Sequence, residues 1–341
     1  MALPVEFWNL QLVDVNDTST ADDRKLVDIV ESVQFCVFLL TMTVHVTEIW
    51  ALAEAHSRRI EELTSPFFKL CLATAGIDVL TLLTNYFGAM FPKWGWFVPV
   101  YMFLGNAYAH VYFYLAWSMG VCQAMGVSVL AANRLSVMLF PTKFHLMWQG
   151  YRIWVAIGIQ YSTGLSIGIA TFFNRTQLFR NNKNGIVPKF LNETMTSVFF
   201  MIGAAFLFVN CLFLVLTYCY LFAVLHQRSQ QKQTALRYQS KRKERAKVRE
   251  AKLFTMSTIT VCVQLSVLLL FVFGGSDILG VSTDQFYIVY NALSDLYASI
   301  NPYLLWIFSD SLRRYVLQRL GLMKKENQFF GSVTPITFIL A

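Results

Sequence analysis

The stretch VFFMIGAAFLFVNCLFLVLTYCYLFAVL, from Val198 to Leu225, decides the fold. It holds no charged residue and is apolar on every face, whereas a surface helix of a soluble protein keeps a polar stripe. It exceeds the ~20 residues with which a helix crosses ~30 Å of hydrocarbon. The chain that follows, HQRSQQKQTALRYQSKRKERAKVREAK (His226–Lys252), carries ten basic residues against Glu244 and Glu250. An apolar span ending in a basic segment marks that end as cytoplasmic.

Six further apolar stretches lie around it. With Val198–Leu225 they make seven expected spans: Val27–Leu52, Phe67–Met90, Trp96–Leu130, Ile153–Phe173, Val198–Leu225, Phe254–Phe273 and Phe286–Phe308. The longer ones imply tilt or extension into solvent. Composition agrees: 56% of residues are hydrophobic and 14% charged, against about 25% charged in soluble domains. The reading is an all-α membrane protein, a seven-transmembrane helix bundle (27–308) between a short outer tail (1–26) and a cytoplasmic tail (309–341).

Alternate connections hold 21 of the 28 Lys and Arg residues, which puts the amino terminus outside and the carboxyl terminus inside, as in a multi-pass plasma-membrane protein. The excess in His226–Lys252 equals the whole chain's +8. The charge is therefore topological and implies the lipid bilayer, not nucleic acid, as partner. Three N-x-[ST] acceptor patterns begin at Asn16, Asn174 and Asn192, all on expected outer segments. Asn174 abuts a span, so Asn16 and Asn192 are the glycosylation candidates. Met1–Asn9 has no basic n-region, and the first span serves as a signal-anchor. All six cysteines fall in spans, so no outer disulfide is expected and they read as small packing residues. Ala235–Lys252 has no Gly or Pro, and spans five and six are expected to continue as helices into the cytoplasm.

Ionisable groups inside a span are costly and point to function. Here they are Asp78 in span two, Asp295 in span seven, His45 and Glu48 near the inner end of span one, and His110 in span three. Asp78 must face the interior. Asn301, beside Pro302, is its natural partner, because Pro302 removes a helix hydrogen bond and frees a carbonyl nearby. Asp78, Gln123, Asp295, Asn301 and Pro302 thus form an expected polar seam, with interhelical glue as the plainer alternative. Arg134 follows Asn133 at the inner end of span three, where it complements the helix dipole and snorkels to headgroups. After span seven, Leu312, Tyr315, Val316 and Leu320 share one helical face, an amphipathic eighth helix on the inner leaflet.

These features together resemble the rhodopsin-like G-protein-coupled receptor plan. The segment Asn133-Arg134-Leu135-Ser136-Val137-Met138-Leu139-Phe140-Pro141, with Trp148 following, is more particular. It resembles nematode serpentine chemoreceptors, of class gamma (Srg) or the related class V (Srv). Departures from the rhodopsin pattern include Leu135 and Leu305 in place of tyrosines, no Cys starting span three and no proline in span six.

The resemblance implies a receptor and not an enzyme. It implies a heterotrimeric G protein docking at Asn133 and Arg134, with Glu250 as the nearest acid on span six. Asp78 and Asn301 become a central switch, with no cofactor beyond a sodium ion near Asp78. An external small molecule or peptide would bind among Tyr108, Tyr112, Phe113, Ala116, Trp117, Tyr287, Asn291 and Asp295. Ala116 stands where amine receptors carry an acid, so an aminergic ligand is not expected.

Three other functions fit less well. An opsin needs a Schiff-base lysine, and Phe286–Phe308 has none. A metal hydrolase needs converging ligands, and only His45 and Glu48 stand a turn apart. A transporter or ligand-gated channel conflicts with the odd span count, the absence of repeats and the charge-derived orientation.

Overall fold

The computed structural model describes residues 4–12, 21–235, 241–274 and 283–323. Its principal helices are α1 (Ala21–Ser57), α2 (Pro66–Asn85), α3 (Val98–Leu139), α4 (Tyr151–Gly168), α5 (Glu193–Ala235), α6 (Lys241–Gly274), α7 (Thr283–Phe308) and α8 (Asp310–Arg319). Among the described residues, five stretches are long and apolar enough to cross a membrane: Val27–Ser57, Pro66–Lys93, Val98–Leu139, Tyr151–Phe173 and Thr194–Val224. The shorter apolar helix Thr258–Val272 lies in α6. The seventh, α7, contains Pro302. The described parts of 226–252 are helical, continuing α5 and α6 past the apolar spans.

The bundle is apolar outside and partly polar within. On α1, Ile29, Val33, Val37 and Leu40 are exposed, while Glu31, Phe38, Thr41, His45, Glu48 and Leu52 are buried. Both sets recur at three- and four-residue steps, one face each. The central helix, α3, packs against α2, α4, α5 and α6, and α7 packs against α6, α1 and α2. Glycines let α3 and α4 approach closely. A Cβ on Gly164 would stand 2.3 Å from the Ser118 carbonyl oxygen, and Gly168 sits as tightly over Ser118 Oγ. This is the small-residue packing that brings membrane helices together.

Several boundaries differ from the expected spans. The third helix runs to Leu139, past Leu130, and breaks at Gly105, whose φ of 52° and ψ of −132° are not helical. The second passes into a π-helix at Tyr86–Met90. Tyr101 and Tyr108 donate their hydroxyls to the carbonyls of Phe87 and Gly88 at 2.7 and 2.6 Å, satisfying acceptors that the π turn loosens.

The segment after α4, expected as an outer loop, contains an antiparallel hairpin, β1 (Thr176–Arg180) and β2 (Ile186–Phe190). Among the described residues the bundle is all-α apart from this hairpin and a single bridge from Leu12 to Arg180. Its turn is NNKNG (Asn181–Gly185). Asn181 Oδ1 accepts from the backbone N–H groups of Lys183 and Gly185 at 3.0 and 2.7 Å, an Asx turn. The Asn181 amide also donates to the Lys93 carbonyl at 2.7 Å, docking the hairpin on the first outer loop. Phe7, wholly buried, fills the gap between the hairpin's Leu178 and Ile186 and the outer end of α3. All six cysteines are free.

Leu312 and Val316 of α8 are buried against Ala51, Leu52 and Ala55 of α1, while Leu320 is exposed. The expected apolar face is thus split. Its first part docks on protein, and only its end remains to meet lipid.

Candidate functional site

The geometry resolves into layers along the bundle axis. In the middle, Asp78 is buried at 1% exposure. Gln123 Nε2 donates to its Oδ1 at 2.8 Å and Asn301 Nδ2 to its Oδ2 at 2.9 Å, joining α2, α3 and α7. Pro302 deprives the Ala298 carbonyl of the N–H it would accept four residues on. His45 supplies the missing donor from α1, with Nε2 3.1 Å from that carbonyl oxygen. Because a carbonyl only accepts, Nε2 carries the proton and Nδ1 presents a lone pair.

Asp295 does not join the Asp78 group. Its oxygens accept from Asn85 Nδ2 at 2.9 Å and the Tyr86 hydroxyl at 3.1 Å. Asn85 lies seven residues beyond Asp78 on α2, and Asp295 lies six before Asn301 on α7. The two antiparallel helices are therefore stitched at two levels, about two turns or ~10 Å apart.

A second chain of amides was not anticipated from the sequence. Asn210 Oδ1 accepts from Ser128 Oγ at 3.0 Å and from Gln264 Nε2 at 2.9 Å, and the Tyr297 hydroxyl reaches Gln264 Oε1 at 3.0 Å. All four side chains are buried. They tie α3, α5, α6 and α7. Asn210 and Gln264 were legible as lone amides inside strongly apolar runs, a signal that attention to charged residues passed over.

Toward the hairpin end of the bundle, rings form a continuous chain across α3, the hairpin, α5, α6 and α7. Phe113 stacks on Phe190 at 4.0 Å, and Phe190 on Phe199 at 6.0 Å. Trp117 lies 5.9 Å from Phe199 and 5.5 Å from Phe200. Phe200 lies 5.5 Å from Phe271, which lies 5.7 Å from Tyr290. Of the ligand candidates, Phe113 and Trp117 belong to this chain. Tyr112 joins it 5.1 Å from Phe113 while its ring also packs over Gly88, Tyr108 stacks on Tyr112 at 6.4 Å with its hydroxyl spent on the π turn, and Ala116 and Asn291 are half-buried. The side chain of Tyr287 lies outside the described residues.

At the end of the bundle away from the hairpin, the Arg134 guanidinium stands 5.1 Å from the Phe67 ring centroid, and its Nη2 is 4.0 Å from Met256 Sδ on α6. Asn133 is buried beside it. The side chain of Glu250 lies outside the described residues. Ser136 accepts from Trp148 Nε1 at 2.6 Å, so the Ser and the Trp of the quoted segment meet physically.

The profile of the serpentine type 7TM GPCR chemoreceptor Srv family matches residues 34–322. The chain belongs to that family. The match runs from α1 through α8 and includes every layer described above. No curated protein matches the chain. As an Srv chemoreceptor-family member it is a multi-pass membrane protein of the receptor type. Among the described residues no three His, Cys, Asp or Glu side chains converge as metal ligands.

Asn192 is exposed and caps α5, accepting from the Met195 N–H at 3.1 Å, whereas Asn174 is buried at 3% exposure. Asn16 lies outside the described residues.

Proposed function

We propose that this Srv-family protein is a plasma-membrane chemosensory receptor with its amino terminus outside. It binds an external small molecule or peptide against the ring chain and activates a heterotrimeric G protein at the inner end of α3. The observation that carries this reading is one face of α6. Phe271, Gln264 and Met256 follow one another at seven- and eight-residue steps, about two turns each. Phe271 meets the rings, Gln264 the amide chain and Met256 the guanidinium of Arg134. A shift of α6 alters all three contacts together.

A ligand that prefers one packing of Trp117, Phe200 and Phe271 biases α6 by its difference in affinity between the two arrangements. Displacing Met256 uncovers Arg134 and opens a groove in which a partner helix docks. The basic His226–Lys252 segment adds attraction to anionic lipid and to an acidic partner surface.

The test is a screen of odorants and peptides against the receptor in a heterologous cell, read by calcium and by cAMP. A ligand whose response is lost in Phe271→Ala at matched surface density supports the reading. A ligand-induced ion current without G protein would replace it with a channel.

A further inference from the structure

We infer that the cleft where α4 ends and α5 begins is a binding site for one phospholipid, its phosphate held by Arg175 and its chains lying along the two helices. A cavity of about 650 Å³ opens there, lined by Phe173, Asn174, Arg175, Leu191, Asn192 and Met195. This is ligand-sized, since small-molecule pockets run from about 300 to 1,000 Å³. The base of the hairpin frames it. The Leu191 N–H donates to the Arg175 carbonyl at 3.0 Å, one rung beyond the pair Thr176 and Phe190.

The polar part of the wall is made of donors. Arg175 is exposed, and among the described residues no acid pairs with it. Asn174 is 3% exposed, and its Nδ2 has no hydrogen-bond partner in the protein. None of the six lining residues is acidic. A guanidinium with an unspent amide selects an anion, and the paired oxygens of a phosphate match the planar fork of arginine. Free phosphate shares that chemistry, but the surroundings favour a lipid. The apolar stretch Tyr151–Phe173 ends at the cavity and Thr194–Val224 begins there, which is headgroup level. Phe173, Leu191 and Met195 are exposed beside the donors, and Ile169, Val198 and Ile202 carry exposed apolar surface onward along the two helices. Both helices pack against α3, and contacts between the two are sparse, which leaves a furrow for acyl chains.

Neither a chemosensory ligand nor G-protein coupling enters the test. Thermal unfolding of the detergent-purified protein is followed while dioleoylphosphatidylcholine, dioleoylphosphatidylglycerol, dioleoylglycerol or glycerol phosphate is added, with native mass spectrometry counting the lipids retained. Both phospholipids should stabilise the wild type, as ligands of the folded state do. Dioleoylglycerol lacks the phosphate and glycerol phosphate lacks the chains, so both should act weakly. One phospholipid should stay bound. R175Q, a change at an exposed side chain, should raise the phospholipid concentration for half-effect at least fivefold and release the retained lipid. K189Q removes an exposed cation of the same hairpin that does not line the cavity, and should behave as wild type. Equal stabilisation by dioleoylglycerol, or an equal loss in K189Q, would overturn the phosphate seat. Glycerol phosphate acting as strongly as the phospholipids would assign the cavity to a soluble anion and overturn the lipid. A phospholipid effect that appears only after glycosidase treatment would give the cavity to a glycan on Asn192, with the same consequence.

Discussion

Trp148 donates its indole N–H to Ser136 at 2.6 Å, and Ser136 passes its own proton to the Asn133 carbonyl at 2.7 Å. The inner loop is thereby pinned to the last turns of α3, one residue from Arg134. Both side chains are buried. Trp148→Phe removes the N–H and part of the ring volume, leaving the hydroxyl its bond to Asn133, and Ser136→Ala orphans the indole. Ser136→Ala should cost roughly 1–3 kcal/mol, the penalty of an unsatisfied buried group, and Trp148→Phe a similar amount through lost packing. Their double mutant should cost less than the sum, which thermal unfolding of the four proteins measures. Strict additivity would mean that the bond contributes nothing.

The amide chain leads to a different result. Gln264 is fully buried and serves two partners at once, donating to Asn210 and facing the Tyr297 hydroxyl. Gln264→Leu is close in size and strands the buried Tyr297 hydroxyl, at about 1–3 kcal/mol, while Asn210 Oδ1 keeps Ser128. Tyr297→Phe removes one hydroxyl and should cost less. If the chain couples α6 to its neighbours, Gln264→Leu should also change ligand-free signalling at matched surface density. Lower stability with unchanged basal and stimulated signalling would reduce the chain to glue.

These two cases mark what was legible in the sequence. The seven spans and the Asp78 pairing follow from quantities that accumulate along the chain: runs of apolar residues and the cost of a buried charge. The hairpin did not, because two five-residue strands carry weak patterns, although NNKNG between Phe179 and Ile186 is turn chemistry. The Gly164–Gly168 contact and the His45 cap on Ala298 depend on which helices adjoin, and no local pattern reports that. Asp295 was misplaced for the same reason. Sequence shows that a buried acid needs partners but not that Asn85 and Tyr86 stand nearer than Asn301.

Glycosylation should separate the two outer acceptor sites of the described chain. Asn192 is exposed and binds α5 through its oxygen, which leaves its nitrogen outward, whereas Asn174 is buried at 3% exposure. Asn192→Gln should abolish a glycosidase-sensitive mobility shift from this segment, and Asn174→Gln should leave it unchanged. Asn16→Gln in combination removes any remainder. A shift that depends on Asn174 would show that this residue is open at the time of modification. A glycan on none of the three would weaken the outward orientation of the amino terminus.

Arg134 gives the sharpest separation between a structural and a signalling role. Its contacts with the Phe67 ring and Met256 Sδ are soft. A cation–π contact is worth about 0.5–2 kcal/mol depending on desolvation, and on a signalling role Arg134→Ala should leave surface expression nearly intact. If the guanidinium is uncovered for a partner when α6 moves, the same variant should abolish coupling while ligand binding persists. Arg134→Lys is the informative companion. It keeps the charge and the capacity to snorkel, but loses the planar fork that stacks on Phe67 and bonds two acceptors together. Recovery of signalling by lysine would mean that charge at the membrane face suffices. Failure of lysine, with binding and expression preserved, would assign the role to the shape of the guanidinium. The measurement is agonist dose–response for wild type and both variants at equal surface density, with ligand binding measured in parallel. Undiminished signalling in Arg134→Ala would return the residue to the lipid headgroups.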